Sequence, residues 1–297
     1  MRILFSVIRR DLKLFFKDKG MFVSALITPL ILLVLYATFL ANVYKDSFVS
    51  ALPPGFSIDE KLIDGTVFSQ LVSALLAVSC ITVSFCANLL MIQDKANGSI
   101  RDFTVTPVKR SVIAAGYYFS SAASTLIITL TALFACLILL GFKGWYMTAA
   151  DVILVMTDVI LLTLFGTALS SCINFFLSTN GQASAVGTIV SAGYGFICGA
   201  YMPISTFSAG LRKILMFLPG TYGTCLIKNH MMRGVFNEMG NSGFPDEVLK
   251  GIEDSVDFNI YFFDNAVSVP VMFAVLSGSV ILFTGAFVAF NVMKKYR

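Results

Sequence analysis

Long apolar runs alternate with short polar connections from one end of this chain to the other. They lie at Met21 to Val43, Thr66 to Ile92, Val112 to Leu140, Val152 to Asn174, Ala183 to Pro203 and Val267 to Met293. A run of about 20 apolar residues, at helical rise, covers the roughly 30 Å of hydrocarbon in a bilayer. The six runs are apolar all round and lack the period-two alternation of barrel strands, so they predict six transmembrane helices. Gly, Pro, Asn or charge separates each run from the next.

Composition strengthens that reading. The 297 residues are 57% hydrophobic and 13% charged, with 28 Phe and a mean hydropathy of +0.84. That is more apolar surface than one soluble core hides. The expected fold is all-α, a single transmembrane domain over residues 1–297. The first run is too long for a signal-peptide core and has no small-residue cleavage pattern behind it, so it is expected to be retained. Cys80, Cys86, Cys136, Cys172 and Cys198 fall in the runs and Cys225 outside them. They have no CxxC or Cys/His spacing, so they predict neither a disulfide framework nor a metal site.

Charge then orients the chain, because Lys and Arg near span ends stay in the cytosol. The N-terminal segment, the connection between the second and third runs, and the C-terminal tail together carry thirteen basic residues against four acidic ones. The other connections carry eight basic and twelve acidic residues. Both termini are therefore expected in the cytosol. The net charge of +4 follows from this asymmetry and calls for no nucleic acid.

Four further segments carry candidate function. Residues 1–20 place Leu4, Phe5, Ile8, Leu12, Phe15 and Phe16 on one helical face and Arg2, Ser6, Arg9, Arg10, Lys13 and Lys17 on the other. This is the pattern of a basic interfacial helix, or of a solvated orientation signal that touches only lipid. In the fifth run Ala183, Gly187, Ser191, Gly195 and Gly199 recur every fourth position, a spacing that lets two helices approach closely, within this chain or in a second subunit. Asp158 lies inside the fourth run, at an insertion cost of about 3 kcal/mol. Twelve Leu, Ile, Val and Phe residues in that run offset it at about 0.3–0.6 kcal/mol each. Asp158, Tyr194 and Tyr201 are candidate transport-path groups. Residues 204–266 combine apolar pieces too short to span, broken at Pro219 and Gly220, with an acidic segment read as a surface helix capped by Asp246. The apolar pieces predict a re-entrant hairpin in the outer leaflet. His230, the lone histidine, has no acid or cysteine at catalytic spacing and reads as an interfacial side chain. No GxSxG, HExxH or G-x-x-x-x-G-K-[ST] motif is present, so this polypeptide is not expected to hydrolyse nucleotide.

The connection at residues 93–111 is more polar than a simple turn requires. Asn97-Gly98 marks a turn, Ser99 can cap a short helix with Ile100, Phe103 and Thr104 on one face, and Pro107 ends it. Such a helix, charged around an apolar ridge, suits docking to a soluble partner. The stretch "DKANGSIRDFTVTPVKRSVIAAG" and the later "GAYMPISTFSAGLRKILMFLPGTYGTCLIKNHMMRG" resemble the membrane subunits of type-2 ABC exporters. Along the whole chain the order of parts is similar to theirs.

The resemblance implies that residues 94–107 form a coupling helix seated on a separate ATPase subunit, present in two copies. Asp94, Lys95, Gly98, Ser99, Arg101, Asp102, Phe103 and Pro107 are its candidate contacts, although Gln93-Asp94 stands where many relatives have a glutamate. ATP and Mg would bind on that partner, and this chain would bind no cofactor. A second permease copy, identical or related, would pack near the Ala183 to Gly199 stripe, with substrate passing between copies along the first, second and fifth spans. The implied setting is the bacterial cytoplasmic membrane and the implied activity is export of a hydrophobic or amphiphilic compound. Polysaccharide or teichoic-acid export and a non-transporting sensor or scaffold are the rivals. A lipid-modifying enzyme would need a His, carboxylate or metal cluster that is absent from the sequence, and an ion-coupled carrier has only Asp158 in its favour.

Overall fold

The computed structural model describes residues 2–51, 59–100, 105, 108–263 and 265–293. They form a nearly all-helical bundle: α1 (Arg2–Lys17), α2 (Lys19–Leu35), a π-helical turn (Tyr36–Leu40), α3 (Ala41–Ala51), α4 (Glu60–Ala87), α5 (Leu89–Ala96), α6 (Arg110–Lys143), α7 (Ala149–Phe176), α8 (Asn180–Ile197), α9 (Ala209–Leu215), α10 (Pro219–Asn241), α11 (Asp246–Ser255) and α12 (Val269–Met293). A two-stranded antiparallel ribbon, β1 (Tyr261–Phe262) with β2 (Asn265–Ala266), precedes α12.

Five helical stretches are long and apolar enough to cross a bilayer: Lys19–Asp46, Glu60–Ala96, Arg110–Lys143, Ala149–Phe176 and Val269–Met293. The sixth expected span is α8, helical over 18 residues but, with Asn180 and Gln182 in its first turn, not apolar enough to join that set.

Helix α4 occupies the centre, with α2, α6, α7, α8 and α10 against it. Its sequence explains this position, since "SALLAVSCITVS" offers small side chains on every face and neighbours can close in all round. The buried hydroxyls of Thr66, Thr82 and Ser84 donate to carbonyls one turn back in their own helix, at 2.7, 3.0 and 2.7 Å. These three residues therefore enter the core with their donors already satisfied. Opposite them α7 presents Val155, Val159, Leu162, Thr163, Gly166 and Thr167, a helical stripe. At Gly166 a Cβ would lie 2.9 Å from Ser84 Oγ and 3.0 Å from the Cys80 carbonyl, so only glycine permits this crossing. The outer face of α7 meets α12 through Phe165 against Phe283 and Phe175 stacked on Phe290.

Two expectations about residues 204–266 need correction. The expected pieces after Pro219 form one continuous, largely buried helix of 23 residues, α10. Pro219 starts it, because its missing N–H is not needed in the first turn. The tight turn back from α9 is closed by Thr221 Oγ donating to the Leu215 carbonyl and Tyr222 OH to that of Met216. Cys225, outside the six predicted runs, is buried with the rest of α10. The cap position of α11 is Pro245, while Asp246 and Glu247 lie in the first turn, where their charge suits the positive helix end.

Lys228 on α10 is fully enclosed and ties this region together. Its Nζ donates to the carbonyls of Gly199 at 2.7 Å and Val256 at 3.0 Å and lies 3.3 Å from Asp257 Oδ2. Asp257 also accepts from the backbone N–H groups of Ile204 and Ser205, 2.7 and 3.2 Å away. Gly199, with φ of +74°, turns the chain so that its carbonyl reaches the ammonium.

Replacing Lys228 with Met strands the buried Asp257 carboxylate, an imbalance worth about 3–5 kcal/mol. The purified Lys228→Met chain is expected to unfold well below wild type in a detergent melt. Adding Asp257→Asn should recover most of the loss, and equal melts for all three chains would remove the pair from the stability account.

Candidate functional site

The start of the predicted coupling segment is held from three directions. Arg10 on α1 reaches across to Asp94 on α5 with two charge-assisted bonds, Nη1 to Oδ2 at 2.7 Å and Nη2 to Oδ1 at 3.1 Å. This fork geometry is the strong form of such a pair. Tyr117 on α6 donates its hydroxyl to the same Asp94 oxygen at 2.6 Å. Lys95 extends to the C-terminal end of α7, where its Nζ donates to the carbonyls of Asn174, Phe175 and Leu177 at 2.9, 2.9 and 3.1 Å. A cation there meets both the unpaired carbonyls and the negative end of the helix.

One turn earlier, Asn88 sits at the junction of α4 and α5 and bridges to α6 and α7. Its amide donates to Ser170 Oγ at 2.5 Å, Ser171 Oγ at 3.0 Å and the Thr167 carbonyl at 3.3 Å. Ser121 Oγ donates to its carbonyl oxygen at 3.1 Å. Helix α5 is therefore a short rigid lever fastened to α1, α6 and α7.

Helix α1 departs from its expected facing. Val7, Asp11 and Phe15 form its buried line, Phe15 alone coming from the expected apolar face, while Phe5 and Phe16 are exposed. The helix packs on α6, where Val7 sits over Gly116. It does more than touch lipid. The rotation serves Asp11, which pairs with Arg10 at 2.9 Å and accepts from Ser120 Oγ at 3.3 Å. Burial pushes the Asp11 carboxyl up to about 6, against the opposing pull of Arg10. The bond to Asp94 pushes the Arg10 guanidinium further above its usual value.

Among the predicted coupling residues, Asp94 is buried and engaged by Arg10 and Tyr117, and Lys95 is engaged by α7. Gly98 takes the positive φ of a turn, +79°, and Ser99 follows in the same turn. Arg101, Asp102, Phe103 and Pro107 lie outside the described residues.

A cavity of about 510 Å³ runs along α2, the inner half of the α4–α5 unit, and α8. Ile27, Ile31, Phe85, Leu89, Asn174 and Tyr201 line it, together with Ala183, Gly187 and Ser191 of the small-residue stripe. The stripe is thus divided by role. Its first three members open onto the cavity, Gly195 lies under the Tyr201 ring, and Gly199 makes the turn. Asn174 Nδ2, buried, has no hydrogen-bond partner among the described residues.

Of the other candidate path residues, Tyr201 borders the cavity, while Tyr194 packs on Gly220, 3.4 Å from its carbonyl. Asp158 is fully buried between α7 and α10, with Oδ2 2.6 Å from Nδ1 of His230. His230 is consequently an interior residue and not an interfacial one, because α10 runs unbroken through the core. Nothing in the sequence announces this pair, whose members are 72 positions apart.

The raised Asp11 carboxyl has a pH signature. Between about pH 4 and 6 the folded chain holds a proton that the unfolded chain has released, so this group's contribution to stability falls as pH rises through that window and is level above it. Melting curves of wild type and Asp11→Asn should differ by an amount that changes between pH 4 and 6 and stays constant from 7 to 8. A constant difference throughout would show that Asp11 does not titrate there.

A model of the ABC-2 type transporter family matches residues 2–229, from α1 into the middle of α10. No curated protein matches the chain. With its apolar spans and the anchored segment between the second and third of them, the chain belongs to the ABC-2 type transporter family, as a membrane-spanning permease subunit.

Proposed function

We propose that this permease moves a hydrophobic or amphiphilic compound outward across the bacterial cytoplasmic membrane, driven by ATP hydrolysis on a separate ATPase subunit. The supporting observation is the anchored lever. Asp94 and Lys95 open the coupling segment and are bonded to α1, α6 and the inner end of α7, so a push on that segment moves all three together. The end of α7 carries Asn174, which borders the cavity, and α5 supplies Leu89 to the same wall. Motion that reaches Asp94 and Lys95 is therefore passed on to the cavity wall through hydrogen-bonded helices.

In this reading two ATPase subunits, holding ATP and Mg, close and tilt the levers of two permease copies. The copies rock apart on the outer side and substrate passes between them. The cavity wall is mostly apolar, with a few hydroxyls and one unpaired amide, and its volume is that of a drug-sized ligand. This favours an amphiphile over a long polysaccharide. Both termini face the cytosol, in keeping with the basic charge at residues 2–19 and 95–110.

Two variants separate docking from transmission. Arg101→Ala with Phe103→Ala should abolish co-purification with the ATPase while leaving the permease folded. Arg10→Ala should keep the complex but lower substrate-stimulated ATP turnover by about tenfold, the rate equivalent of about 1.4 kcal/mol. Full stimulation in the Arg10 variant would refute transmission through the lever, and an intact complex in the double variant would place the dock elsewhere.

A further inference from the structure

We propose that the cavity between α9, α11 and the β-ribbon binds the phosphate of a membrane phospholipid headgroup. It measures about 260 Å³ and is bordered by Ser205, Arg212, Lys213, Asn259, Tyr261 and Phe263. Helix α9 presents Arg212 and Lys213 at consecutive exposed positions, and neither forms an ion pair among the described residues. Lys213 Nζ lies 5.6 Å from the centre of the Phe263 ring.

The two carboxylates on the cavity wall already have partners. Asp257 is bonded by Lys228, Ile204 N and Ser205 N. Asp254 accepts from Tyr261 OH at 3.0 and 3.2 Å. The Tyr261 and Asn259 donors are used within the wall, so the groups offered to a ligand are the Arg212 guanidinium and the Lys213 ammonium, which select an anion with several acceptor oxygens.

The surroundings select the source of that anion. Leu211, Ile214 and Phe217, on α9 and the turn after it, are 40%, 64% and 64% exposed. Phe217 continues this apolar surface to Phe262 and Phe263, with ring centres 5.4 and 6.2 Å apart. In water such an apolar surface would be unfavourable. At a bilayer boundary it is favourable, because the apolar side chains enter the acyl region while the long basic side chains reach the phosphate layer. The cavity's place in the chain puts it there: its residues directly follow α8 and directly precede α12, where the chain leaves and re-enters the apolar layer. A soluble phosphate compound would use the cations but leave the collar unburied. The proposal rests on the membrane-spanning fold and not on the export reading.

The test is native mass spectrometry of the full-length chain, stripped in detergent and supplied separately with phosphatidylglycerol, phosphatidylethanolamine and a phosphate-free diacylglycerol glycoside. One molecule of either phospholipid should be retained at collision energies that strip the glycoside. Arg212→Gln with Lys213→Gln should lower that retention by about fivefold for each cation removed. Arg212→Lys with Lys213→Arg should preserve it. Both positions are exposed, so folding is checked by monodispersity, and the two single Gln variants substitute if the double fails. Equal retention of the glycoside, or no effect of the Gln variants, would overturn the proposal. Displacement of the bound phospholipid by millimolar inorganic phosphate would overturn the lipid assignment in favour of a free-anion site.

Discussion

A helix enclosed on every side by other helices has no water to satisfy its polar groups, and α4 is such a helix. Thr66, Thr82 and Ser84 solve the problem locally by donating to their own backbone one turn back. That leaves small, effectively non-polar faces on which five neighbours close. The rest of the bundle depends on this centre. Gly166 lets α7 come within backbone contact of Cys80 and Ser84, and α7 in turn carries α12 on its outer face. Without a hydrophobic force between helices inside lipid, such close packing is the main attraction holding them.

Side-chain hydrogen bonds cross between helices in the middle of the bundle, as at Asp158–His230 and Thr129–Thr163, and also fasten its two ends. Asn88, Asp94 and Lys95 fasten one end through α1, α6 and α7, and Lys228 with Asp257 fastens the other through the exit of α8 and the acidic segment. Between the two, the wall formed by α2, α4 and α8 is held by apolar contact around a cavity. Directional bonds resist displacement and apolar contacts between small residues tolerate sliding. A bundle fastened at both ends, with a yielding wall beside the cavity, suits a permease that must open and reseal.

Much of this was legible in the chain. The long apolar runs specify helices because lipid leaves no alternative for the backbone, and five of the six anticipated spans meet the length and hydropathy a bilayer requires. The polar interruption at residues 93–111 stood out for the same reason. The fifth run, with its Gly and Ser at every fourth position, announced close packing, but not that Ala183, Gly187 and Ser191 would border a cavity while Gly195 receives the Tyr201 ring.

Spacing along the chain determined which segments are helical and which connections are basic, since both follow from local composition acting against a slab of fixed thickness. Partnership between distant side chains was decided only by the tertiary structure. Arg10 finds Asp94 across 84 positions, Asp158 finds His230 across 72, and Lys228 finds Asp257 across 29. Each charge alone read as an orientation signal, a path residue or an interfacial group. Burial changed those roles, because an ion or imidazole removed from water must acquire a partner, and which partner is available depends on how the helices pack.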